Sequence, residues 1–357
     1  NVNSSKAQEF RSILESFNPQ MAAMREKSFM DFGMGVNYGN QFSKGVNTIG
    51  YNFSLVYSNT TEFYENAQYG RYIKGESSLY EMKVTEFQQG DYGVNNVSLS
   101  AMGGIALKRN NSRYKLNLLH TQNGESKTGV FDFENSDLGA NLNSFQHNLE
   151  YTQRSLSNML INGTHFLGDS KWQIDWRLSP TISNIEDPDI RFTRYRDDNG
   201  NLTISSESGY PTRIWRYLQE LNLVGKTDVT RDYTFLRNEA KLKFGVSYAY
   251  KQRDFEIQNF QIVPQDVDVT GNPDELFLPE NLWGTNPDGV TGVRYEPSFI
   301  PNNTNKFDAS VSNAAVYASN EFRITRNLKS ILGLRVENYV QLYTGLNQQR
   351  VSLNDKE

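Results

Sequence analysis

The sequence offers few side chains that could do chemistry, and their positions do not bring them together. It contains no cysteine, which excludes disulfides, thiolate metal sites and a cysteine nucleophile from these 357 residues. The three histidines, His120, His147 and His165, fall in three different predicted strands, so a metal site or a Ser-His-Asp site would need those strands to converge. We favour the alternative that each is a hydrogen-bonded strand residue, and we expect no enzymatic activity and no cofactor.

Four aspartates lie in one polar stretch and allow two interpretations, a calcium site or a solvated loop. A calcium-binding loop places oxygen ligands at alternating positions and closes with a glutamate. This stretch lacks that spacing. The sequence therefore favours a solvated loop containing Asp187, Asp189, Asp197 and Asp198.

Three aromatic residues in predicted loops, Tyr210, Trp283 and Tyr295, could hold a ligand or a partner by stacking. Ordinary packing within the loops is the alternative. We do not expect nucleic acid as a partner, because a net charge of -5 and a pI near 5.5 leave no basic footprint.

The elements that must position these side chains are long strands with two different faces. From Lys171 to Ile182 every even position is apolar and every odd position is polar or charged, as expected for a strand. Twelve residues at about 3.3 Å each span roughly 40 Å, and a tilted strand needs roughly 9–11 residues to cross a bilayer. The alternative is an edge strand of a soluble sandwich. One strand cannot distinguish the two, so the question is whether the pattern recurs along the chain.

The alternation recurs and predicts about ten strands, together with a type I′ hairpin at Asn199-Gly200. The connections alternate between two kinds. Short turns are predicted near 41–45, 109–112, 168–170, 229–233 and 325–327, and long loops at about 59–92, 122–142, 184–212 and 264–308.

This alternation is typical of outer-membrane barrels, which have short periplasmic turns and long extracellular loops. A Greek-key sandwich gives no reason for it. The sequence thus predicts an all-β fold, an antiparallel transmembrane β-barrel. Residues 1–26 form a lead-in segment with a short helix at Gln8–Phe17, residues 27–343 form the barrel portion, and residues 344–357 start the next extracellular loop.

In such a barrel, alternate residues of each strand face the lipid and the lumen. The predicted lipid-facing residues are Trp172, Ile174, Trp176, Leu178, Leu242, Phe244, Leu332 and Leu334. The predicted lumen-facing residues are Lys171, Asp175, Arg177, Lys241, Lys243, Arg335 and Glu337. The charged residues could contact a plug or line a substrate path, and a generic polar lining is equally compatible.

Four places in the chain carry a further signal: Tyr151–Leu156 followed by Asn162–His165, then Glu186–Asp189, then Leu242–Gly245 running into Lys251–Phe255, and Leu332–Tyr339. Together they resemble the barrel of TonB-dependent outer-membrane receptors, in particular the larger receptors of the Bacteroidetes type. Their order and spacing cover most of residues 27–343.

The resemblance implies a 22-stranded barrel in the outer membrane of a Gram-negative bacterium, of which this chain would supply about half. It also implies three partners outside this segment: outer-membrane lipid, an N-terminal plug domain and the TonB energy-coupling complex. The expected function is active uptake of an unidentified ligand. The alternative is a receptor-like barrel that serves as a scaffold subunit in an outer-membrane complex with surface lipoproteins.

Overall fold

A computed structural model shows that one antiparallel sheet takes up most of the chain. It describes residues 3–74, 80–136, 142–169, 171–206, 208–297, 305–325, 327–347, 349 and 351–356. Strand accounts for 76% and helix for 6%, and the sheet has 13 strands and is not closed, so the predicted all-β antiparallel class is confirmed. Within the described ranges, no helix is long and apolar enough to cross a membrane.

The strands follow one another in the sheet in the order in which they occur in the chain, with β7 paired to β6 and β10 paired to β9 beside the main path. Each described pair is antiparallel. The strands are β1 (Phe32–Lys44), β2 (Asn47–Lys74), β3 (Met82–Arg109), β4 (Ser112–Asn135), β5 (Leu142–Leu167), β6 (Trp172–Asp198), β7 (Asn201–Thr203), β8 (Thr212–Phe235), β9 (Asn238–Gln265), β10 (Gly292–Pro297), β11 (Lys306–Thr325), β12 (Leu328–Leu346) and β13 (Ser352–Lys356).

Most strands are longer than the sequence predicted, although β5 (Leu142–Leu167) agrees with the strand predicted at 143–167. β2, β3 and β9 each have 28 residues. The predicted loops at 59–92, 122–142 and 184–212 are therefore wrong over much of their length, because β2 to β6 and β8 continue through them. The apolar alternation stops after about twelve residues, but a strand is held by its backbone hydrogen bonds, which continue with polar side chains on both faces.

Short turns join the strands at one end of the sheet, the short-turn end, and longer connections join them at the other, the loop end. The turn between β8 and β9 is Leu236-Arg237, both with positive φ (49° and 63°), so the turn predicted at 229–233 is wrong. Neither residue type is common in turns, which is why the sequence did not indicate it. The hairpin at Asn199-Gly200 is confirmed, with φ of 55° and 89°.

The two faces of the sheet differ, and cross-strand pairing shows which residues share a face. Ile174 pairs with Val229, which pairs with Phe244, and the row continues through Ala318 to Leu334. We call this the apolar face and the opposite side the polar face. In the half of the sheet nearest the short-turn end, apolar side chains dominate the apolar face on strand after strand. We call this region the apolar band.

The apolar band ends at a similar height on neighbouring strands. On β6 it ends at Ile182, after which Asn184 and Glu186 occupy the same face. On β9 it ends at Tyr250, followed by Gln252. Beyond that height both faces are largely polar, so each long strand has an apolar-faced half and a polar half.

At the loop end the apolar face is covered by a small core. Helix α1 (Ser5–Ser16) is capped at its N-terminus by Ser4, whose side chain accepts the N–H of Ala7. Two 3-10 helices (Pro273–Phe277 and Pro279–Asn281) follow β9. The lead-in segment is thus a folded part of the structure. The buried residues of the core are Leu14, Met21, Ile262, Leu276, Phe277, Leu282 and Val293.

The predicted boundary at the other end of the chain also changes. β12 continues to Leu346, and β13 returns along it within the range 344–357 that was predicted to start a loop. The loop predicted at 264–308 holds the two 3-10 helices and β10, and its outer parts belong to β9 and β11.

Candidate functional site

A bulge in β6 organises the loop end. The pairing of β6 with β8 passes from Asp187–Arg216 directly to Ile190–Ile214, so that Pro188 and Asp189 stand opposite the single residue Trp215. Pro188 has no N–H to donate to the ladder, and Asp189 has a φ of 69°, both typical of a bulge in a central strand. Because of the bulge, the side chains of Asp187 and Asp189 make their contacts on opposite faces of the sheet.

On the polar face, Asp187 is completely buried. Its carboxylate accepts hydrogen bonds from the Thr152 hydroxyl (2.7 Å) and from Arg216 Nε (2.5 Å). Nearby, burial raises the pKa of Glu150, and the positive charge of Lys127 opposes that rise. The solvated-loop interpretation is therefore wrong for Asp187, because strand side chains enclose it.

On the other face, Asp189 binds two arginines, Arg213 and Arg191. Arg213 is 1% exposed, and its Nε donates to Asp189 Oδ1 at 2.7 Å. Its Nη1 donates to the Asn18 carbonyl (2.8 Å), and the guanidinium lies 4.8 Å from the centre of the Phe17 ring. The buried ion pair thus joins β6 to β8, and the hydrogen bond from Arg213 to Asn18 ties the lead-in segment to β8. Asp189 is therefore not a solvated loop residue either.

Two further contacts hold the same segment. Asp274 Oδ1 accepts the N–H groups of Met21 (2.5 Å) and Ala22 (2.7 Å), and His147 Nδ1 accepts the N–H of Ala23 (3.0 Å). Burial lowers the pKa of His147, and the negative charge of Asp274 opposes this shift. Because Nδ1 acts as an acceptor, the contact requires the neutral imidazole.

A cleft opens on the polar face of the loop end, next to Arg194. Nε and Nη2 of Arg194 both donate to Gln146 Oε1, at 2.8 and 2.6 Å, and the guanidinium lies 4.2 Å from the centre of the Phe133 ring. Burial lowers the pKa of Arg194, against the attraction of Glu86. The cleft has a volume of about 310 Å³ and is lined by Gln146, Phe192, Arg194, Ser208, Gly209, Tyr210 and Thr212.

A row of aromatic rings leads towards this cleft along the same face. Tyr64 stacks on Tyr92 at 4.8 Å between ring centres, and Tyr92 lies 6.2 Å from Phe131. Phe131 pairs with Gln146, which pairs with Arg194. Flat rings beside a half-buried guanidinium suit a ligand that has apolar ring faces and an acidic group.

The charges predicted to face a lumen share the polar face, apart from Lys171, which precedes β6 in the turn. Their centre is Asp228, a buried carboxylate that the sequence did not single out. Lys226 (3.3 Å), Lys243 (3.6 Å) and Arg177 (4.0 Å) surround it. Other contacts of the predicted residues on this face include Asp175 with Thr164, Lys241 with Asp232, and Arg335 with Glu337.

The residues predicted to face lipid share the apolar face. Pairing places Trp172 and Leu332 in one row, and Ile174, Phe244 and Leu334 in the next. Several of them are exposed, with Leu334 at 74%. Trp176 lies across Gly163, where a Cβ would come within 2.5 Å of its Nε1, and Leu178 and Leu242 continue the same face.

The three loop aromatics have different roles. Tyr210 lines the cleft. Trp283 and Tyr295 instead pack against Phe10, with ring centres 5.5 and 5.2 Å away, so ordinary packing accounts for them. The sequence missed Arg194, because the apolar alternation that indicated the strand ends at Ile182, twelve residues before it.

The histidines do not converge. His120 Nδ1 lies 2.8 Å from the Ser157 hydroxyl, and His165 Nε2 accepts the indole N–H of Trp176 at 2.9 Å.

Of the four aspartates in the predicted polar stretch, Asp197 accepts the N–H of Gly200 beside the β6–β7 turn. Among the described residues, no three His, Asp or Glu side chains are grouped to hold a metal ion.

No protein-family model and no curated protein matches the chain.

Proposed function

We propose that this chain forms part of a transmembrane β-barrel, that of an outer-membrane receptor for TonB-dependent uptake. The observation that supports this most is the apolar band. Its side chains remain exposed on strand after strand, while the same strands continue beyond it with two polar faces. About twelve residues tilted by about 45° cover the thickness of a bilayer core.

The orientation of the proposed barrel follows from its connections. The short-turn end borders the apolar band, as periplasmic turns do, and the longer connections lie beyond the polar halves, as extracellular loops do. In this proposal the polar face lines the interior, where the Asp228 cluster meets a plug domain. The Arg194 cleft lies on the extracellular side and receives the ligand, whose identity stays open.

The experiment compares neighbouring residues on opposite faces. Ile174→Arg places a charge on the lipid side near the middle of the band and should cost roughly 2–4 kcal/mol, so that little barrel assembles. Gln173→Arg places it on the polar face and should be tolerated. Assembly in lipid vesicles is followed by resistance to unfolding in detergent, and equal losses for both variants would contradict the membrane assignment.

Uptake itself requires energy coupling. In the full-length protein, deletion of the plug or of the TonB-contacting segment should abolish accumulation of the ligand while the barrel still assembles. A full-length protein that lacks both would contradict the receptor proposal.

A scaffold in a complex with surface lipoproteins is the second candidate, favoured by one observation. The core at the loop end supports an outward surface with two exposed apolar side chains, Leu278 and Val290. Leu278→Asp with Val290→Asp should dissociate a lipoprotein partner and leave uptake unchanged. Loss of uptake with the complex intact would instead favour the receptor alone.

A further inference from the structure

The two ends of the sheet carry opposite charge. We define the short-turn rim as the residues within four positions of each short turn: 41–50, 106–115, 164–175, 232–241 and 322–331. Its described residues include ten Lys and Arg against four Asp and Glu, in a chain that has 36 against 41. The described residues of the loop-end segments 65–91, 125–150, 186–220 and 253–308 include 12 Lys and Arg against 24 Asp and Glu.

Most cations of the short-turn rim are free to bind something else. Among the described residues, ion pairs engage only Lys241, with Asp232 at 3.7 Å, and Lys329, with Glu321 at 2.5 Å. The other eight cations of the rim are exposed and form no ion pair with a described residue. They are Lys44, Lys108, Arg109, Arg113, Lys115, Lys171, Arg237 and Arg323.

Three exposed cations lie at the edge of the apolar face itself. Lys44 and Arg109 both pair with Asn47, one from each side, so they share a face. The same row of pairs continues through Ser112 and His165 to Ile174, so that face is the apolar face. Arg231 lies just inside the rim, with its guanidinium 4.8 Å from the centre of the Trp172 ring. Positive groups thus border the apolar band where it meets the turns.

We propose that the short-turn rim binds the head-group phosphates of anionic phospholipids, with Lys44, Arg109 and Arg231 as the principal contacts. The inference rests on the proposed membrane function, because the acyl chains would lie against the apolar band. A guanidinium can donate two hydrogen bonds to one phosphate, and an indole suits the boundary between chains and head groups. The acidic loop end would repel the same lipids.

The test measures how strongly the purified full-length protein retains phosphatidylglycerol relative to phosphatidylcholine. A basic residue near an anionic surface contributes about a five-fold preference. The variant Lys44→Gln/Arg109→Gln/Arg231→Gln should therefore lose nearly all of the preference, and Arg231→Gln alone should lose about five-fold. The single substitution keeps the test valid if the triple variant fails to assemble.

A matched control removes three charges from the polar face at the same end. Lys108→Gln/Arg113→Gln/Lys115→Gln should keep most of the preference, and Lys44→Arg/Arg109→Lys/Arg231→Lys should keep it as well. Equal losses in the two triple Gln variants would overturn the proposal, since net charge alone would then explain binding. Displacement of the lipid by millimolar glycerol phosphate would also overturn it, because a soluble phosphate would then suffice.

Failure of this inference is distinguishable from failure of the proposed function. Flotation with vesicles reports whether the protein inserts into lipid at all. Insertion without a preference for phosphatidylglycerol refutes the lipid site alone, whereas absence of insertion refutes the membrane assignment and the lipid site together.

Discussion

Trp176 and Trp215 lie on the same face of one sheet in different surroundings. Trp176, within the apolar band, lies across Gly163 and donates its indole N–H to His165, both of which belong to the neighbouring strand β5. Trp215, near the loop end, is enclosed by Phe17 and Phe260 with ring centres 6.0 and 5.7 Å away.

The comparison shows that one sheet is suited to two environments. In the apolar-faced half, exposed side chains such as Leu332 and Leu334 gain about 25 cal/mol per Å² only when something apolar covers them. In the polar half the chain supplies its own cover, namely α1, the lead-in segment and the residues after β9. The described residues thus leave the apolar side chains of the first half uncovered and cover those of the second half from within the chain.

The largest loss of stability is expected from a cavity in the core that covers the loop end of the sheet. Leu14 is fully buried in the core, so Leu14→Ala should cost about 2–5 kcal/mol through the cavity it leaves. Hydrogen exchange should show lost protection in α1 and around Met21, with β1 to β4 near the short-turn end unchanged. Ile13→Ala, at an exposed neighbour, is the control, and an equal loss of protection in both halves would show that they are not independent.

A smaller effect is expected on the polar face of the apolar-faced half. Asp228→Asn removes the negative charge that Lys226, Lys243 and Arg177 share, at a cost of about 1–2 kcal/mol, because water partly screens the cations. The shift in the midpoint of urea unfolding of the assembled protein measures this loss of stability.

The control for that change is Asp232→Asn, at an exposed carboxylate 3.7 Å from Lys241, which should cost less than about 0.5 kcal/mol. Protection of α1 should be the same in both variants. If Asp228→Asn released α1, the two halves would be coupled across the sheet.

The smallest effect is expected from pH at His147. Burial lowers the pKa of His147 in the folded protein, so the unfolded chain binds the proton more readily. The contact with Ala23 should be intact above the ordinary pKa of about 6.5 and weaken as the pH falls below it. Protease cleavage near Ala23 should then increase between about pH 7 and pH 5.

Two variants test this attribution. His147→Asn offers an oxygen that can accept the same N–H without titrating, and it should remove the pH dependence of cleavage. His120→Asn, at an exposed histidine hydrogen-bonded to Ser157, should leave the pH dependence unchanged. A pH dependence that persists in His147→Asn would point to Asp274 or another group.

Much of the fold was predictable because a strand repeats every two residues, a period that is visible locally. Alternation from Lys171 to Ile182 predicted the strand and its two faces, and cross-strand pairing confirms that the predicted apolar side chains share one face. The Asn199-Gly200 hairpin was predictable for a similar reason, since both residue types tolerate positive φ. The Leu236-Arg237 turn was not, because nothing in either side chain favours it.

The candidate site depended on contacts that join distant parts of the chain. The hydrogen bond from Arg213 to the Asn18 carbonyl spans 195 residues, and no local pattern indicates it. For the same reason the sequence could not tell that Asp187 and Asp189 would be neutralised by arginines across the ladder. The sequence determined where strands run and which way their apolar side chains point. Only the tertiary structure decided how far the ladders extend, which carboxylates are buried and which half of the sheet is covered, because backbone pairing and ion pairs form between segments that are remote in sequence.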